Sequence, residues 1–485
     1  MVSTLAETSI AQTSAQASVQ TSTHAAPSLA ARWHPLLRSF ADAHQCLIRE
    51  LSHGFNAPLH LVFPQPFADN VRAFQRVLDK QRVDGRILYA KKANKARCFA
   101  RTAAELGIGL DVASTGEFID GLAAGLRGDA IGVSGPAKSQ DLLQLALSHN
   151  ALIAVDALDE LERLSALAHS QSRTARVLLR MRPSAQTGSR FGLDDAALEA
   201  TVSICVRDMQ HLKLEGFSFH LSGYRAADRC NQAAAALRAC LAARARGLSP
   251  QTVNIGGGFA VSYANDDDWR TFLAAQTQAD YHAHKQFGGG FYPYHHPQPG
   301  AAMLDAILQR TPDGETEPLH ALFERHAVQL MLEPGRALLD QAGFTVFAVQ
   351  GVKDHDGYGI VTANGTSFSL SEQWFDSEYL PDPELLPSRA GTTDGTADES
   401  ERHPYRACVG GVSCLDSDML TWRKVRFAQR PQPGDLLLYP NTAGYQMDSN
   451  ESTFHELPLP PKIVVTFDAD GPHWRLDRLS PFSGA

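Results

Sequence analysis

The sequence has few features of secreted, membrane-spanning or nucleic-acid-binding proteins. Its seven cysteines are scattered over 485 residues and include no C-x-x-C pair, which argues against a disulfide framework and a structural zinc site. No apolar run is long enough to span a bilayer. The formal net charge is −9 and there is no basic run, so binding to nucleic acid or to an anionic membrane is not expected.

The composition instead indicates an ordinary soluble protein with more than one domain. Apolar residues make up 44% and charged residues 20% of the chain, as in typical globular proteins. Residues 1–30 are rich in Ser, Thr, Ala and Gln, without a basic start or an apolar core. They predict a disordered tail rather than a secretory signal, and a cytoplasmic protein is expected.

Residues 61–337 alternate short apolar strands with helix-like segments. Such alternation predicts a parallel sheet, and eight units favour a closed (β/α)₈ TIM barrel over an open sheet. The eight strand-like runs are RILYAKKAN, GLDVAS, AIGVSG, LIAVD, RVLLRMRP, LEGFSFHLSG, TVNIGGGF and VQLMLEPGR.

The sequence pattern changes after residue 337, where helix-like segments give way to β-type runs. β-type runs such as FTVFAVQGVKD, YGIVTANG and KIVVTFD predict a second, mainly antiparallel β-barrel or sandwich domain over residues 338–485, with a loop at 381–403. The segment 31–60 is expected to pack with this domain. Residues 287–300 interrupt the barrel rhythm and predict an inserted lid or surface loop, which includes the triplet Gly288-Gly289-Gly290.

Polar residues end several barrel strands, where the active sites of such barrels are built. A single site that uses all of them needs a ligand with a phosphate, a carbonyl that can take an amine, and a ring nitrogen; pyridoxal phosphate meets these demands. Glycines after a strand allow backbone N–H groups to approach a phosphate. The residues are Lys92, Asp111, Arg180, His220, Gly256-Gly257-Gly258 and Glu333-Pro334-Gly335-Arg336.

The run Tyr89-Ala90-Lys91-Lys92-Ala93-Asn94 resembles the Y-A-x-K-A-N motif of the fold-type III pyridoxal-phosphate decarboxylases, the group of diaminopimelate, ornithine and arginine decarboxylases. The resemblance extends over residues 60–450 in the same motif order. It implies an alanine-racemase-like barrel and a pyridoxal 5′-phosphate cofactor bound covalently by Lys92. Neighbouring side chains on a strand face opposite ways, so Lys92 is expected to point inward with Leu88 and Ala90, and Lys91 outward to the helices.

Two further barrel motifs carry cofactor roles by this resemblance. DVASTGE is similar to D-x-A-S-x-x-E, in which Asp111 and Glu117 position the cofactor; alternatively, Ser114 and Glu117 form a capping box. His220 in FSFHLSGY resembles the histidine that stacks on the pyridine ring. The family continues H-x-G-S, whereas here Ser222 offers the phosphate-binding hydroxyl one position earlier.

The motif Glu333-Pro334-Gly335-Arg336 looks like the family's E-P-G-R. Its carboxylate pairs with the pyridine nitrogen, and Arg336 then offers a fork to the phosphate or to a substrate carboxylate. Two more arginines, Arg180 and Arg190, match family positions; Arg190 lies where a lysine is more usual.

In the second domain, VGGVSCLDSDML resembles the G-P-x-C-x-x-x-D segment. The resemblance gives Cys414 a part in protonating the product and Asp418 a part in holding substrate; the alternative for Cys414 is a small buried hydrophobe. NTAGYQM resembles the G-A-Y segment, which makes Tyr445 a phosphate ligand. In the family these residues complete the partner subunit's site, so a homodimer is implied.

Two family positions that are usually acidic are neutral in this chain, Asn364 and Leu415. A substrate whose side chain ends in a cation thereby loses charge-assisted hydrogen bonds worth about 1.5–3 kcal/mol each. Free ornithine or lysine is therefore not the expected substrate. The insertion resembles those of decarboxylases in carboxylate-siderophore pathways, whose substrates are larger and acidic.

Alternative functions on the same sequence are an amino-acid racemase and a catalytically silent pyridoxal-phosphate-binding regulatory homologue. Racemases typically carry a tyrosine base where Cys414 lies, and silent homologues tend to lose the lysine or the phosphate glycines, so both are less favoured than decarboxylation. A metal site at His282 and His284 has no carboxylate or cysteine cluster beside it in sequence, and no metal is expected.

Overall fold

The computed structural model describes residues 27–186, 188–288, 290–370, 378–388 and 404–478. The predicted tail therefore lies outside the described residues up to residue 26, and the predicted loop at 381–403 lies outside them from residue 389. None of the helices in the described ranges has both the length and the apolar character needed to cross a membrane.

A closed barrel of eight parallel strands forms the first half of the molecule. Each strand pairs with the next in chain order and the last closes on the first, which confirms the predicted (β/α)₈ barrel. Strand β1 (Leu59–Val62) belongs to another sheet, and the barrel strands are β2 (Gly85–Ala90), β3 (Gly109–Val112), β4 (Ile131–Val133), β5 (Leu152–Val155), β6 (Ala175–Arg180), β7 (Leu212–Ser218), β8 (Thr252–Asn254) and β9 (Gln329–Leu332).

Alternation along the strands builds two layers of core. Leu88 of β2 points to the barrel axis, where it forms an interior cluster with Leu152, Leu178 and Met331. Its neighbour Tyr89 points outward, with its ring 5.0 Å from that of a phenylalanine in the surrounding helices, Phe67. The helices are α1 (Pro35–Ala43), α2 (Gln45–Phe55), α3 (Pro64–Lys80), α4 (Arg97–Glu105), α5 (Thr115–Ala123), α6 (Gln140–Ser148), α7 (Leu158–Ser170), α8 (Asp195–Arg207), α9 (Ala226–Arg244), α10 (Asp266–Ala275), α11 (Ala301–Gln309) and α12 (Leu319–Arg325).

The second half is a nine-stranded, mostly antiparallel sheet, as predicted, with parallel pairs at β11–β13 and β1–β16. Its order is β14-β13-β11-β10-β1-β16-β17, and β15 pairs with both β10 and β12. The strands are β10 (Gly343–His355), β11 (Tyr358–Ala363), β12 (Glu384–Leu386), β13 (Tyr405–Gly410), β14 (Met419–Phe427), β15 (Leu436–Pro440), β16 (Lys462–Asp468) and β17 (Gly471–Leu476).

The N-terminal segment is built into this sheet. Strand β1 pairs antiparallel with β10 and parallel with β16, and α1 and α2 contribute Phe40, Ile48 and Leu51 to a core shared with Phe344 of β10. The apolar sequence Leu59–Val62 is buried throughout, so it needs sheet neighbours on both sides. The sheet therefore contains residues 61 and 62, which the sequence reading assigned to the barrel.

One predicted loop contains a strand, and another packs more closely than expected. Glu384–Leu386, inside the predicted loop 381–403, form β12, and Leu386 is buried against the inner strand β15. The described residues of the insertion 287–300 contain no helix or strand, as expected for a loop. Its Tyr292 and Tyr294 have no exposed surface, and the Tyr294 hydroxyl donates to the Glu378 carbonyl at 3.2 Å, so these two aromatic side chains anchor the loop to the core.

Candidate active site

The adjacent lysines at the end of β2 lie in different environments. The strand ends at Ala90 and Lys91–Ala93 form one 3₁₀ turn, so both lysines lie beyond the end of the strand, although the predicted run RILYAKKAN included them. Lys91 is 1% exposed and its Nζ lies 3.3 Å from Asp120 Oδ2 on α5. Lys92 is 52% exposed at the mouth of the barrel, where its Nζ lies 3.9 Å from Asp111 Oδ2 at the end of β3.

The turn that carries Lys92 is held by the second half of the same chain. Asn94, which is fully buried, donates from Nδ2 to the Ala443 carbonyl at 2.9 Å. Tyr445 returns a backbone bond, from its N–H to the Ala93 carbonyl at 2.8 Å. The two motifs therefore meet within one subunit, and this contact explains why an asparagine follows the lysine pair.

Two carboxyl groups lie close to the Lys92 amine. Burial and the nearby Asp111 raise the pKa of Glu333 to about 7, and burial raises the pKa of Asp111 against the opposing charge of Lys92. Loss of water acts to lower the pKa of Lys92, but the charges of Asp111, Tyr445 and Glu333 outweigh it and raise that pKa. These carboxyl groups therefore favour the charged form of the Lys92 amine in the protein without cofactor.

Asn254 at the end of β8 connects Glu333 to the glycine loop, and the sequence reading missed it. Its Nδ2 donates to Glu333 Oε1 at 2.6 Å, and its Oδ1 accepts the Gly256 N–H at 2.9 Å. The only sequence signal was its position at a strand end, directly before the glycines. One amide thus fixes both the carboxylate and the start of the loop.

The glycine loop lies directly against His220, which follows β7. A side chain added at Gly256 would place its Cβ 2.8 Å from His220 Nδ1, and one at Gly257 would meet the Glu333 carbonyl at 2.5 Å. Desolvation and the positive charges of Lys92, Arg229 and Arg180 lower the pKa of His220 to about 3. The imidazole is therefore neutral.

Arg229 of α9 binds the glycine loop through its buried guanidinium. No sequence signal pointed to this role of Arg229. The side chain is 1% exposed, and burial lowers its pKa to about 10. Its guanidinium donates to five backbone carbonyls on both loops that border the site: Leu221, Gly223, Ile255, Gly257 and Gly258, at 2.8 to 3.4 Å.

The other barrel arginines are held in different ways. Arg180 Nη1 lies 3.0 Å from Asp156 Oδ1, and its charge acts on Lys92 and His220. Arg190 is exposed, and its guanidinium lies 4.3 Å from the centre of the Phe191 ring. Of these two arginines, only Arg180 thus interacts electrostatically with the residues around Lys92.

Glu117 and Ser222, which are predicted to bind the cofactor, make hydrogen bonds with neighbouring parts of the protein. The Glu117 N–H donates to Ser114 Oγ at 3.2 Å, so Ser114 caps α5, but Glu117 Oε2 accepts the Ala113 N–H at 2.7 Å instead of that of Ser114, so only one half of the predicted capping box is formed. Ser222 is exposed, and its carbonyl accepts Gln186 Nε2 at 3.3 Å.

Arg336 lies in a cage of tyrosines beside the lysine turn. Its Nη1 donates to the Tyr263 hydroxyl at 2.7 Å, and its guanidinium lies 4.5 Å from the Tyr292 ring and 5.0 Å from the Tyr445 ring. A Cβ on Gly335 would lie 3.0 Å from the Tyr445 hydroxyl. The insertion therefore reaches the site indirectly, since Tyr292 helps to orient Arg336.

The second-domain residues Cys414 and Asp418 lie apart from this cluster. Cys414 is exposed, and its N–H donates to His455 Nε2 at 3.3 Å. Asp418 is 4% exposed and its oxygens accept the N–H groups of Ser367 at 2.7 Å and Ser413 at 3.1 Å. The carboxylate that was expected to hold substrate is therefore engaged in fixing the loop of Cys414.

The residues at the barrel mouth fit pyridoxal phosphate. Lys92 offers an amine for its carbonyl, Glu333 a carboxyl group for its ring nitrogen, and the ring of His220 a flat surface. The close approaches at Gly256, Gly257 and Gly258 leave no room for side chains there, as expected where backbone N–H groups must reach a phosphate.

Comparison with known proteins decides the family. Residues 67–286 match the model of the pyridoxal-dependent decarboxylase, pyridoxal binding domain. The chain belongs to the pyridoxal-phosphate-dependent decarboxylases of the diaminopimelate, ornithine and arginine decarboxylase family. This decarboxylase is 35% identical over 446 residues to the uncharacterized protein y4yA of Sinorhizobium fredii, covering 91% of this chain and 93% of that protein.

More distant relatives of the decarboxylase are named for their activities. The diaminopimelate decarboxylase of Bacillus methanolicus is 23% identical, over 86% of this chain and 89% of its own. The L-glutamyl-[BtrI acyl-carrier protein] decarboxylase of Niallia circulans is 24% identical, over 87% and 91%. In fold, the crystal structure of diaminopimelate decarboxylase from M. jannaschii matches with a TM-score of 0.68 at 19% identity, covering 89% of this chain and 91% of that one.

Proposed function

We propose that this decarboxylase removes the α-carboxylate of an amino acid whose side chain or conjugate is large and carries a carboxylate, as in a siderophore precursor. The observation that carries the choice of substrate is the absence of acid at two positions. Leu415 is 42% exposed beside Cys414, and Asn364 Oδ1 is occupied by the Ala348 N–H at 2.9 Å. A cationic substrate end gains no charge-assisted bond from either residue.

A relative supports a substrate beyond free diamino acids. The Niallia circulans protein is named for a glutamyl group on an acyl-carrier protein, a large conjugate that ends in an acidic amino acid. A barrel mouth that takes such a group needs cations, and we propose that Arg190 and Arg336 supply them. Arg190 is exposed and Arg336 is held in its cage at the site.

The protein groups orient the cofactor and control charge around it. When bound, pyridoxal phosphate supplies a carbonyl that condenses with amines and a ring that withdraws electrons from the carbon that loses carbon dioxide. Lys92 would hold it covalently, with Asp111 and Glu117 as supports. Glu333, oriented by Asn254 at 2.6 Å, would keep the ring nitrogen protonated, and His220 would offer its flat face to the ring. The other residues that would bind the cofactor are Gly256–258, Gly335, Ser222, Arg180 and Tyr445.

The Lys92 amine must lose its proton before it can bond to carbon. The carboxylates that raise its pKa, Asp111 and Glu333, are near enough for that charge to matter. We propose that pairing one of these carboxyl groups with the cofactor nitrogen removes it as a partner of Lys92 and thereby favours the neutral amine.

A homodimer is part of the proposal. Cys414, the group proposed to return a proton to the product, lies on an exposed loop whose described contacts are with its own sheet and with His455. A second copy of the chain would bring this loop to the barrel mouth. Asp418 then acts through the loop rather than on the substrate, because backbone N–H groups take its oxygens.

The test is carbon dioxide release from the purified holoenzyme with a panel of amino acids. The panel contains meso-diaminopimelate, L-ornithine, L-lysine, L-arginine and amide or ester conjugates that end in a carboxylate. We expect the conjugates to react and the free diamino acids to be poor substrates. Rapid release from diaminopimelate would overturn the substrate while leaving the decarboxylase intact, and exchange of the α-proton without carbon dioxide would indicate racemisation.

A further inference from the structure

We propose that His169, Asp208 and His211 form a binding site for one divalent transition-metal ion on the outer wall of the barrel. One ligand atom from each side chain lies within 4.8 Å of the other two, and this is the one such group of three found in the described ranges. His169 Nε2 lies 2.9 Å from Asp208 Oδ1, and the two imidazole centres are 3.8 Å apart.

Hydrogen bonds hold two of the ligands in place from the side away from the ion. His211 Nδ1 lies 3.0 Å from the Arg173 carbonyl; a proton on that nitrogen leaves the Nε2 lone pair for a metal. Asp208 Oδ2 accepts the Ser165 hydroxyl at 2.5 Å, which leaves Oδ1 facing the histidines. Such outer partners are the usual support of metal-binding imidazoles and carboxylates.

The backbone fixes the spacing of Asp208 and His211. Asp208 ends α8, and its carbonyl accepts the N–H groups of His211 at 3.0 Å and Leu212 at 2.8 Å, so both side chains leave one tight turn. His169 comes from the last turn of α7 and is 55% exposed. With bonds of about 2.1 Å, tetrahedral ligand atoms are about 3.4 Å apart, a closure that the exposed His169 side chain can make by rotation.

The ligand set selects the class of ion. Two imidazoles and one carboxylate suit Zn²⁺, Ni²⁺ or Co²⁺, whereas Mg²⁺ and Ca²⁺ prefer oxygen ligands alone. Three protein ligands leave room for water. The site lies at the beginning of β7, the barrel end opposite to Lys92, so the ion would tie α7 to the α8–β7 turn and stabilise the barrel without touching the reaction.

Sequence alone did not predict this site. His169 is separated from Asp208 and His211 by the whole of β6 and α8, and the pair Asp208-x-x-His211 resembles no common metal motif. Only the fold brings α7 and the α8–β7 turn together.

The test is titration of the metal-free holoenzyme with Co²⁺, followed by visible absorption, and with Ni²⁺, followed by calorimetry and by the melting temperature. We expect one ion per chain, a cobalt absorption band from imidazole ligands and a higher melting temperature with metal. Single substitutions His169→Ala and His211→Ala remove a direct ligand, so they should weaken binding by more than the about tenfold to a hundredfold that loss of a supporting residue costs, and remove the shift in melting temperature.

The matched control is His473→Ala. His473 is also 55% exposed, and its Nε2 lies 2.8 Å from Asp468 Oδ2, but it belongs to no three-ligand group in the described part of the chain. The His473→Ala variant should bind metal like the wild type. Unaltered binding in both cluster variants, an equal loss in His473→Ala, or no saturable binding would overturn the site; if His211→Ala melts early without metal, the exposed His169→Ala decides.

Discussion

Lys91 and Lys92 are chemically identical neighbours whose surroundings give them separate tasks. Burial lowers the pKa of Lys91, although Asp120 opposes the shift, and its Nζ donates to the Lys95 carbonyl at 3.2 Å. Lys92 instead faces the carboxyl groups of the barrel mouth. The two lysines point in different directions because both lie in the 3₁₀ turn after β2, in which successive side chains are rotated by about 120°.

Substitution of each lysine by methionine should separate these tasks. Lys92→Met removes the amine that binds the cofactor, so activity should fall on the order of a thousandfold or more, and the absorption of the lysine-bound cofactor should disappear. Lys91→Met leaves Asp120 with Arg97 and Arg478 as partners, so it should lower the melting temperature but keep that absorption. Loss of the absorption in Lys91→Met and its persistence in Lys92→Met would reverse the assignment.

For single residues, the sequence predicted the site residues at the ends of strands. It missed the residues that position those side chains and loops. Lys92, Asp111, His220 and Glu333 could be found because barrel strands bring their ends together. Asn254 and Arg229 could not be assigned roles, because their contacts depend on the path of two loops. Asp418 matched a motif, but its carboxylate binds backbone N–H groups that only the folded loop presents.

At the level of structural elements, the conformation of the glycine loop after β8 depends on one buried cation, Arg229. Arg229 binds carbonyls on this loop and on the loop after β7, so it sets the gap in which phosphate and pyridine ring would lie. A guanidinium is suited to this because its donors spread in a rigid plane. Each loop is thus shaped by the same side chain.

Arg229→Met should therefore impair the site as well as the fold. Hydrogen bonds to charged groups contribute about 1.5–3 kcal/mol each when intact, so we expect a loss of several kcal/mol in stability and a weaker affinity for pyridoxal phosphate, measured by cofactor titration. The control is Arg225→Met on the same segment, which is 79% exposed and paired with Asp228 at 3.6 Å. Equal cofactor affinity in both variants would exclude the role given to Arg229.

Strand prediction succeeded in the barrel and failed at β14, where charged residues interrupt the apolar pattern. Barrel strands such as β5, with the sequence LIAV, are apolar and buried throughout, as expected where both faces of a strand are covered. The sequence of β14, MLTWRKVRF, reads as polar, yet Arg423 is 1% exposed and its guanidinium is bound by Asp382 and by the Leu380 carbonyl at 2.8 Å. A buried ion pair of this kind is invisible in one strand's sequence.

Across the whole molecule, β1 joins the N-terminal segment to the second sheet through a buried histidine. His60 has no exposed surface, and its Nδ1 lies 3.0 Å from Thr345 Oγ1 on β10. Burial, with the charge of Lys462 nearby, lowers the pKa of His60 from 6.5 to about 3. The folded protein therefore holds this side chain neutral where the unfolded chain would protonate it.

This shift predicts a loss of stability in acid. Because the unfolded state binds the proton first, the contribution of His60 is complete above pH 6.5 and is lost as the pH falls from 6.5 towards 3, by up to about 1.4 kcal/mol for each pH unit. His60→Asn should lower stability at every pH but flatten its dependence between pH 6.5 and 5, measured by urea unfolding. A wild-type slope in the variant would show that other groups cause the acid sensitivity.

The assembly of the site from two chains gives the last prediction. Lys92 and Tyr445 meet within one subunit, whereas Cys414 is exposed on the far loop, so only the cysteine needs to come from a partner. If it does, Lys92→Ala and Cys414→Ala should each be inactive alone. A mixture that exchanges subunits forms half mixed dimers, each with one intact site, and should regain up to about a quarter of wild-type activity. Mass spectrometry of the mixture verifies that exchange occurred. Exchange without recovery, or an active monomer, would mean that each barrel is served by its own chain.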